Sequence, residues 1–490
     1  MNQNANGGHR SILQRIARKS MLDKGFIIEF PQSALARINK IDDISVPASG
    51  STRDQRSLLW CSIDNDDSED LDQLTLAMDL PSGEVKILVA IADVDSIVDK
   101  KSDLEDHART NTTSVYTSAQ IFPMLPEKLS TDLTSLRFAK DRLALVVEFV
   151  VAGDGSVKNS DIYRSVVQNK AKLAYHSTSA WLEGTGTMPK EIGSVQGLEQ
   201  NLRKQFEASK KLKNLRYQHG ALYLETPESK AVFEGDSVKD LREEHEDLAK
   251  DIIQEFMIAA NGLAVEFLSS KKFPSIRRIV RVPKRWSRIV ELAAEWKSSL
   301  PAQPDPKALE QFLLEAKKTS PDRFPELSLS VVKLLGPGEY VAGMPGTEQI
   351  GHFGLAVKSY THSTAPNRRY PDLIIQRLLK AALGNSPVPY TEEELTGIAS
   401  HCTMMENAAK KVERQIDKST AALMLQSRIG EEFDAIVTGS SDKGTWVRIF
   451  NPPVDGKLVS GFEGVDVGQK IRVKLLNANV ELGFIDFKKL

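Results

Sequence analysis

Between Cys61 and Thr75 the chain reads C-S-I-D-N-D-D-S-E-D-L-D-Q-L-T, and six of these fifteen residues are carboxylates: Asp64, Asp66, Asp67, Glu69, Asp70 and Asp72. An apolar approach (Leu58, Leu59, Trp60, Ile63) and an apolar exit (Leu74, Leu76, Ala77, Met78) bracket them. Self-repelling charge is thus placed where the chain is to be buried, and a hard cation is what neutralises it. The spacing Asp64-x5-Asp70-x-Asp72 sets two carboxylates on one side of an extended segment and returns a third across a short turn, a cradle for Mg²⁺. A Ca²⁺ loop or a plain acidic turn is the competing reading; the EF-hand pattern fails for want of its central Gly and terminal Glu.

A second constellation is Gly351–Leu383, G-H-F-G-L-A-V-K-S-Y-T-H-S-T-A-P-N-R-R-Y-P-D followed by an apolar helical run. A strand is expected to end near Tyr360, with a polar loop around Pro366 and a helix starting near Tyr370–Asp372. Arg368 and Arg369 then stand at a helix N-terminus, where free N–H groups and the macrodipole already favour an anion, so the pair reads as a phosphate site. His352 and His362 have no second His or Cys at metal spacing and read as structural, hydrogen-bonded histidines. Lys271–Arg288 holds eight bases and no acid. It is either a phosphate track or a strand whose bases face water while Ile276, Ile279 and Val280 are buried.

The elements that must position these residues follow from periodicity. Leu74–Leu80 and Val85–Val94 read as strands joined by P-S-G; Leu143–Val151 and Val157–Val167 form a second hairpin around G-D-G; Ile121–Pro126 is a rigid loop. From about Asn169 the period turns helical, over Lys170–Leu182, Gly197–Arg216 and His245–Ser269, and Thr391–Ile429 reads as a pair of helices. Near the start, Ser11–Met21 is a packing helix or a basic arm on RNA, Pro31–Ile41 a second short helix, and Ala48–Arg53 a linker. Glu432–Leu490 breaks into five short strand candidates punctuated by Gly and Asp, the pattern of an OB-type barrel, with Trp446, Arg448, Phe450, Lys457 and Phe462 as candidates for single-stranded nucleic acid.

Composition sets the outer limits. A chain of 490 residues with 41% hydrophobic content has room for several ordered domains. No uninterrupted apolar run reaches the roughly 18 residues of a membrane span, and M-N-Q-N-A-N-G-G lacks the parts of a signal peptide, so the expected location is cytoplasmic. Cys61 and Cys402 form no framework and are expected as reduced thiols. A net charge of -2 neither demands nor excludes a nucleic-acid partner.

Both focal stretches resemble the ribonuclease II family, the RNB-domain exoribonucleases. Ile63-Asp64 followed by Glu69-Asp70-Leu71-Asp72 is similar to the first family motif. H-F-G-L at 352–355, Tyr360, Thr364-Ala365-Pro366, Arg368-Arg369-Tyr370 and Asp372 are similar to the second. P-M-L-P at 123–126, A-K-L-A-Y at 171–175 and Q-E-F-M-I-A-A-N at 254–261 fall between them in the family's order. The resemblance covers about residues 52–385, and the C-terminal strands resemble the S1 domain that usually follows. It implies an α+β fold: residues 1–50 a helical extension, 51–430 an RNB catalytic domain with a barrel-like sheet core wrapped by helices and with C-terminal helices, and 431–490 a small all-β S1/OB-like barrel.

The implied activity is Mg²⁺-dependent, hydrolytic 3′ to 5′ degradation of single-stranded RNA to nucleoside 5′-monophosphates; a monomer is expected, and no obligate protein partner is inferable from the sequence. Two cations held by Asp64, Asp70, Asp72 and Gln73 would clamp the scissile phosphate, which needs carboxylates and no nucleophilic side chain. Arg368 would face the phosphate that gains charge, with Arg369 beside it; Tyr116 would stack on the terminal nucleotide; Tyr175 and Glu255 would contact the ribose. Three departures stand out. Gln73 replaces the second of two adjacent aspartates, Ala365 and Asn367 replace the family's Ser and Ile around Pro366, and the residues before Asp64 are too few for two cold-shock barrels. Asp66 or Asp67 could supply the charge missing at Gln73. The alternative class is a catalytically weakened RNA-binding relative.

Overall fold

The computed structural model describes residues 8–43, 52–225, 229–243, 247–347, 350–441 and 444–490. Most of the predicted 48–53 linker lies outside these. The site is built on one seven-stranded sheet. Its order is Arg53–Asp54, Val157–Gln168, Asp141–Val151, Val85–Ala92, Gln73–Asp79, Cys61–Asp64 and Ala171–Ala174. The central strands are antiparallel, with Gln73 opposite Ile91 and Ala92 opposite Ala144, and the last pair is parallel, with Asp64 beside Ala174. Their near-continuous apolar runs, L-T-L-A and I-L-V-A-I-A, suit strands covered on both faces.

Helix Leu198–Gln218, the central helix Leu248–Ser270 and helix Tyr370–Leu383 pack on this sheet; Leu74, Leu76, Val89, Phe256, Ala260, Leu373 and Ile374 belong to one core. Leu248–Ser270 is long and apolar enough to cross a membrane by composition, but here it is the core helix beside the sheet. The helix expected from Lys170 starts later. Ala171 and Leu173 alternate inward as a strand, and helix Tyr175–Glu183 follows, so Tyr175 is delivered at the junction.

Three other expectations change. The H-F-G-L segment is a single turn, Phe353–Leu355, because the His352 ring accepts the Leu355 N–H and closes it. Thr391–Ile429 is one helix, Glu392–Leu425, of 34 residues; a Thr391/Glu394 capping box starts it, and its one glycine and no proline leave nothing to break it. Its middle (Met405, Ala409, Val412, Ile416) packs on Ile16, Ala17 and Met21 of the N-terminal helix His9–Asp23, while its end (Ala421, Ala422, Leu425) enters the barrel core. Ile121–Phe122, expected as loop, pairs with Val115–Tyr116.

In the basic stretch, Ser275–Ile279 is a strand paired with Glu339–Gly343. Arg277 and Arg278 are both buried, so the reading in which the strand's bases face water fails for these two. The C-terminal strands Glu432–Ser441, Gly444–Phe450, Pro453–Ser460, Lys470–Asn479 and Phe484–Lys489 close into a barrel. Inward Val447, Ile449, Leu458, Val473 and Phe487 form its core. Gly456 is required there: a Cβ would lie 2.4 Å from the Phe487 ring. Trp446, Arg448 and Phe450 alternate outward beside exposed Lys457, and Phe462 is exposed too.

Candidate active site

The acidic stretch becomes a strand end, a tight turn and a strand start. Asp64 closes Cys61–Asp64, and its Oδ1 accepts from Asn65 N (2.7 Å) and Ser68 Oγ (2.8 Å), which fixes the turn's first corner. Ser135 fastens the far side: its hydroxyl donates to Glu69 O (2.6 Å) and accepts from Leu71 N (3.0 Å). Ala92 N donates to Asp72 O (3.0 Å), leading into the ladder that begins at Gln73. The turn is thus locked by Ser135, which no sequence motif singled out.

Asp72 is 2% exposed. Its Oδ1 accepts the Asn367 N–H (3.0 Å), while Oδ2 is buried without a hydrogen bond, although the Arg368 Nε stands 3.4 Å away. Arg368 therefore supplies attraction without a hydrogen bond. Burial, with Asp70 adding to it, pushes the Asp72 carboxyl up to about 7 against the pull of Arg368. Asp70 is also raised, by burial first; its Oδ2 accepts the Tyr116 hydroxyl (3.0 Å), and Asp64 repels it. Asp64, Asp70 and Asp72 thus share one field, with Arg368 as the cation facing it.

The expected arginine pair splits. Arg368 is 45% exposed, its backbone carbonyl tied to Ser114 N (3.0 Å). Arg369 turns inward, donating Nε and Nη2 to Asp372 (2.9 and 2.7 Å) within the first helical turn, so it holds the loop rather than presenting a phosphate fork. The loop's other end is held by Asn261 of the central helix, whose Oδ1 accepts from Ser363 N (2.7 Å) and Oγ (2.8 Å).

Tyr116 is 39% exposed above Asp70. Tyr175 lies on the Asp64 side, its hydroxyl pKa raised by burial and then by Asp64, with the Lys250 ammonium 5.9 Å from its ring. Glu255 is not brought to Tyr175. One residue of helix turns it about 100° from Gln254, and both its oxygens are taken by buried Arg216 (3.0 and 2.5 Å). Gln254, exposed one turn from Lys250, holds the helix face expected of Glu255. Gln73 is 8% exposed at the strand start and makes no side-chain hydrogen bond among the described residues. Asp66 and Asp67 are exposed on the turn. His352 and His362 are half-buried, with pKa values lowered first by desolvation; His362 Nδ1 meets the Tyr340 hydroxyl at 2.7 Å.

A divalent cation fits the donor chemistry: all-oxygen ligands, concentrated negative charge, and a buried Asp72 oxygen with no donor. Among the described residues, three such side chains do not close into a ready ligand cage.

The RNB domain family matches residues 52–385, and the RNase II-type exonuclease C-terminal S1 domain matches residues 431–490. Ribonuclease R 2 of Lactococcus lactis subsp. lactis is 29% identical over 469 residues, 89% of this chain and 69% of that protein. Ribonuclease R of Thermotoga maritima is 32% identical over 452 residues, 87% of this chain and 61% of that protein. The chain thus spans about two thirds or less of these relatives, and 52% of Ribonuclease R from Escherichia coli. In fold, it matches Mycoplasma genitalium RNase R in complex with ribose methylated single-stranded RNA at TM-score 0.87 and 23% identity, over 98% of this chain and 78% of that one. Yeast Ssd1, a pseudonuclease, matches at TM-score 0.70 and 16% identity, over 91% and 55%. With one family match running from the acidic stretch through the arginine loop and another covering the barrel, the chain belongs to the RNB family and carries its RNase II-type C-terminal S1 domain.

Proposed function

We propose that the protein is a Mg²⁺-dependent exoribonuclease that hydrolyses single-stranded RNA from the 3′ end and releases nucleoside 5′-monophosphates. The observation that carries this reading is Asp72: a buried carboxylate with one oxygen unpartnered, beside Asp70 and facing Arg368. Such a group is costly in a purely structural role and useful where a cation and a phosphate meet. The relatives named Ribonuclease R support the substrate class.

Asp64, Asp70 and Asp72 would hold the cation, with the Gln73 amide oxygen as a neutral fourth donor. Held by these residues, such a cation would supply a more acidic attacking water and stabilisation of the leaving 3′ oxygen. Arg368 is placed to sit against a non-bridging phosphate oxygen as charge develops. The Tyr116 hydroxyl fixes Asp70, and its half-exposed ring offers a face to the terminal base. On the opposite side Tyr175 presents its hydroxyl, and exposed Gln254 is the amide one turn from Lys250 on the same helix face, suited to a ribose 2′-OH. Asn367 N holds Asp72 in register, so the loop that carries Arg368 and the turn that carries the carboxylates move as one. The barrel would add sequence-tolerant contacts through outward Trp446, Phe450 and Lys457.

A second reading rests on Gln73, where an amide stands in place of a carboxylate: an RNA-binding relative with weakened catalysis. End-labelled single-stranded RNA incubated with Mg²⁺ or with EDTA decides between them. Stepwise shortening from the 3′ end with Mg²⁺ only is expected; binding without shortening at any Mg²⁺ or Mn²⁺ concentration would leave the second reading.

A further inference from the structure

Five arginines of the described residues are buried, and four of them meet a carboxylate. Arg142 pairs with Asp43 and Asp132, Arg216 with Glu255, Arg278 with Glu406, and Arg377 with Asp95 and Glu105. Arg277 is the exception. It is 7% exposed on strand Ser275–Ile279, and its only hydrogen bonds go to hydroxyls: Nε to Ser275 Oγ (3.3 Å) and Nη1 to Ser359 Oγ (3.1 Å). Its Nη2 has no partner among the described residues, yet it is not among the polar atoms sealed from solvent. Burial lowers its pKa with no carboxylate to oppose that.

The fold makes room for this side chain. A Cβ on Gly343 of the paired strand would lie 2.4 Å from Arg277 Nε, so the glycine is the space in which the guanidinium lies. Ser359, which orients the fork, lines a groove of about 710 Å³, and the residue before it, Lys358, is exposed there without an ion pair among the described residues. A buried cation is tolerated when an anion completes it. A half-open fork oriented by a hydroxyl, with an exposed lysine adjacent in sequence to that serine, matches a phosphate group.

We infer that Arg277, oriented by Ser275 and Ser359 and assisted by Lys358, is a phosphate-binding site apart from the carboxylate centre. The phosphate belongs either to an RNA backbone or to a free phosphate compound, and both present the same oxygens to the fork.

The test titrates inorganic phosphate against chloride at constant ionic strength, with thermal unfolding of the full chain as readout. RNA is absent from this arm, so it is independent of the nuclease reading. Wild type should gain thermal stability with phosphate. Arg277→Gln and the surface variant Lys358→Ala should lose most of that gain, while Lys272→Ala, an exposed base of the same stretch, should keep it. In phosphate-free buffer Arg277→Gln should melt no lower than wild type, since it deletes an uncompensated charge. A second arm measures the salt dependence of single-stranded RNA binding in EDTA. If the ligand is a backbone phosphate, the log–log slope falls by about 0.7 in each of the two site variants; an unchanged slope with the phosphate effect intact assigns a free phosphate. No phosphate effect in wild type together with unchanged slopes overturns the site. So does a large melting loss in Arg277→Gln while Lys358→Ala behaves as wild type, which makes Arg277 purely structural.

Discussion

Replacing Asp72 by Asn should destroy hydrolysis and, without metal, stabilise the fold. An ordinary aspartate titrates near 3.8 and Asp72 at about 7. The folded protein therefore takes up a proton at higher pH than the unfolded chain, and Asp72's contribution to stability is present below about pH 4 and lost as pH rises through about 7. Those roughly 3 pH units correspond to about 4 kcal/mol against the charged form. Asparagine is neutral throughout and can keep the bond from Asn367 N. In EDTA the variant should match wild type at pH 4 and exceed it by about 2–4 kcal/mol at pH 8, the pull of Arg368 being already contained in the value near 7 and the lower end allowing for the amide's poorer fit in a carboxylate's place. At about 2 °C per kcal/mol this is a melting difference of roughly 4–8 °C. Mg²⁺ at pH 8 should raise the wild-type melting temperature and move the variant much less, because binding then relieves the repulsion that the substitution has already removed. Thermal scans from pH 4 to 8.5, with and without Mg²⁺, measure all of this. A variant that melts below wild type at pH 8 in EDTA would refute the account of Asp72 as an uncompensated carboxylate.

The two arginines should separate in the same assays. Arg369→Lys breaks a partly buried fork to Asp372 and should cost about 2 kcal/mol of stability; Arg368→Lys should cost under about 1 kcal/mol yet lower kcat by roughly 10²-fold or more. Gln73→Asp should lower the Mg²⁺ concentration for half-maximal hydrolysis; no gain or a loss in the titration would mean the inner carboxylates already suffice and are crowded by another. Tyr116→Ala should lengthen the shortest RNA left behind, seen on a sequencing gel, since stacking worth about 1–3 kcal/mol per base retains short oligomers. Lys457→Ala on the outer barrel face should reduce the log–log salt slope of RNA binding by about 0.7, and an unchanged slope would remove that face from the RNA path.

What could be read from the sequence was what local chemistry decides. The acidic turn between apolar flanks, the hairpins around P-S-G and G-D-G and the alternation of T-W-V-R-I-F each depend on neighbours within a few residues. What could not be read depends on partners far along the chain. Arg368 and Arg369 are identical as letters, and only Asp372 within the helical turn and Asp72 from 296 positions earlier assign them opposite tasks. Glu255 and Gln254 differ by one step around a helix whose face is set by Arg216 on another. The H-F-G-L run has the letters of a strand and closes as a turn because the His352 ring accepts the Leu355 N–H. Ser135 carries no motif at all; its value lies in where Glu69 and Leu71 happen to pass.

Helix Glu392–Leu425 is about 50 Å of unbroken rod. Glu406 grips Arg278, Glu413 accepts the backbone N–H of Tyr116 (3.2 Å), and Ala422 and Leu425 are rooted in the barrel. It is therefore a lever with its handle in the barrel and its fulcrum against the N-terminal helix. If the barrel holds RNA as proposed, tension on the strand would pass along this helix to Glu413 and the Tyr116 backbone that it holds, beside Asp70. A substrate that resists being drawn in would thus be felt at the terminal base before any bond is cut. Two glycines placed at Lys411 and Lys418 would soften the rod, and processivity on RNA under load is where the slack would show.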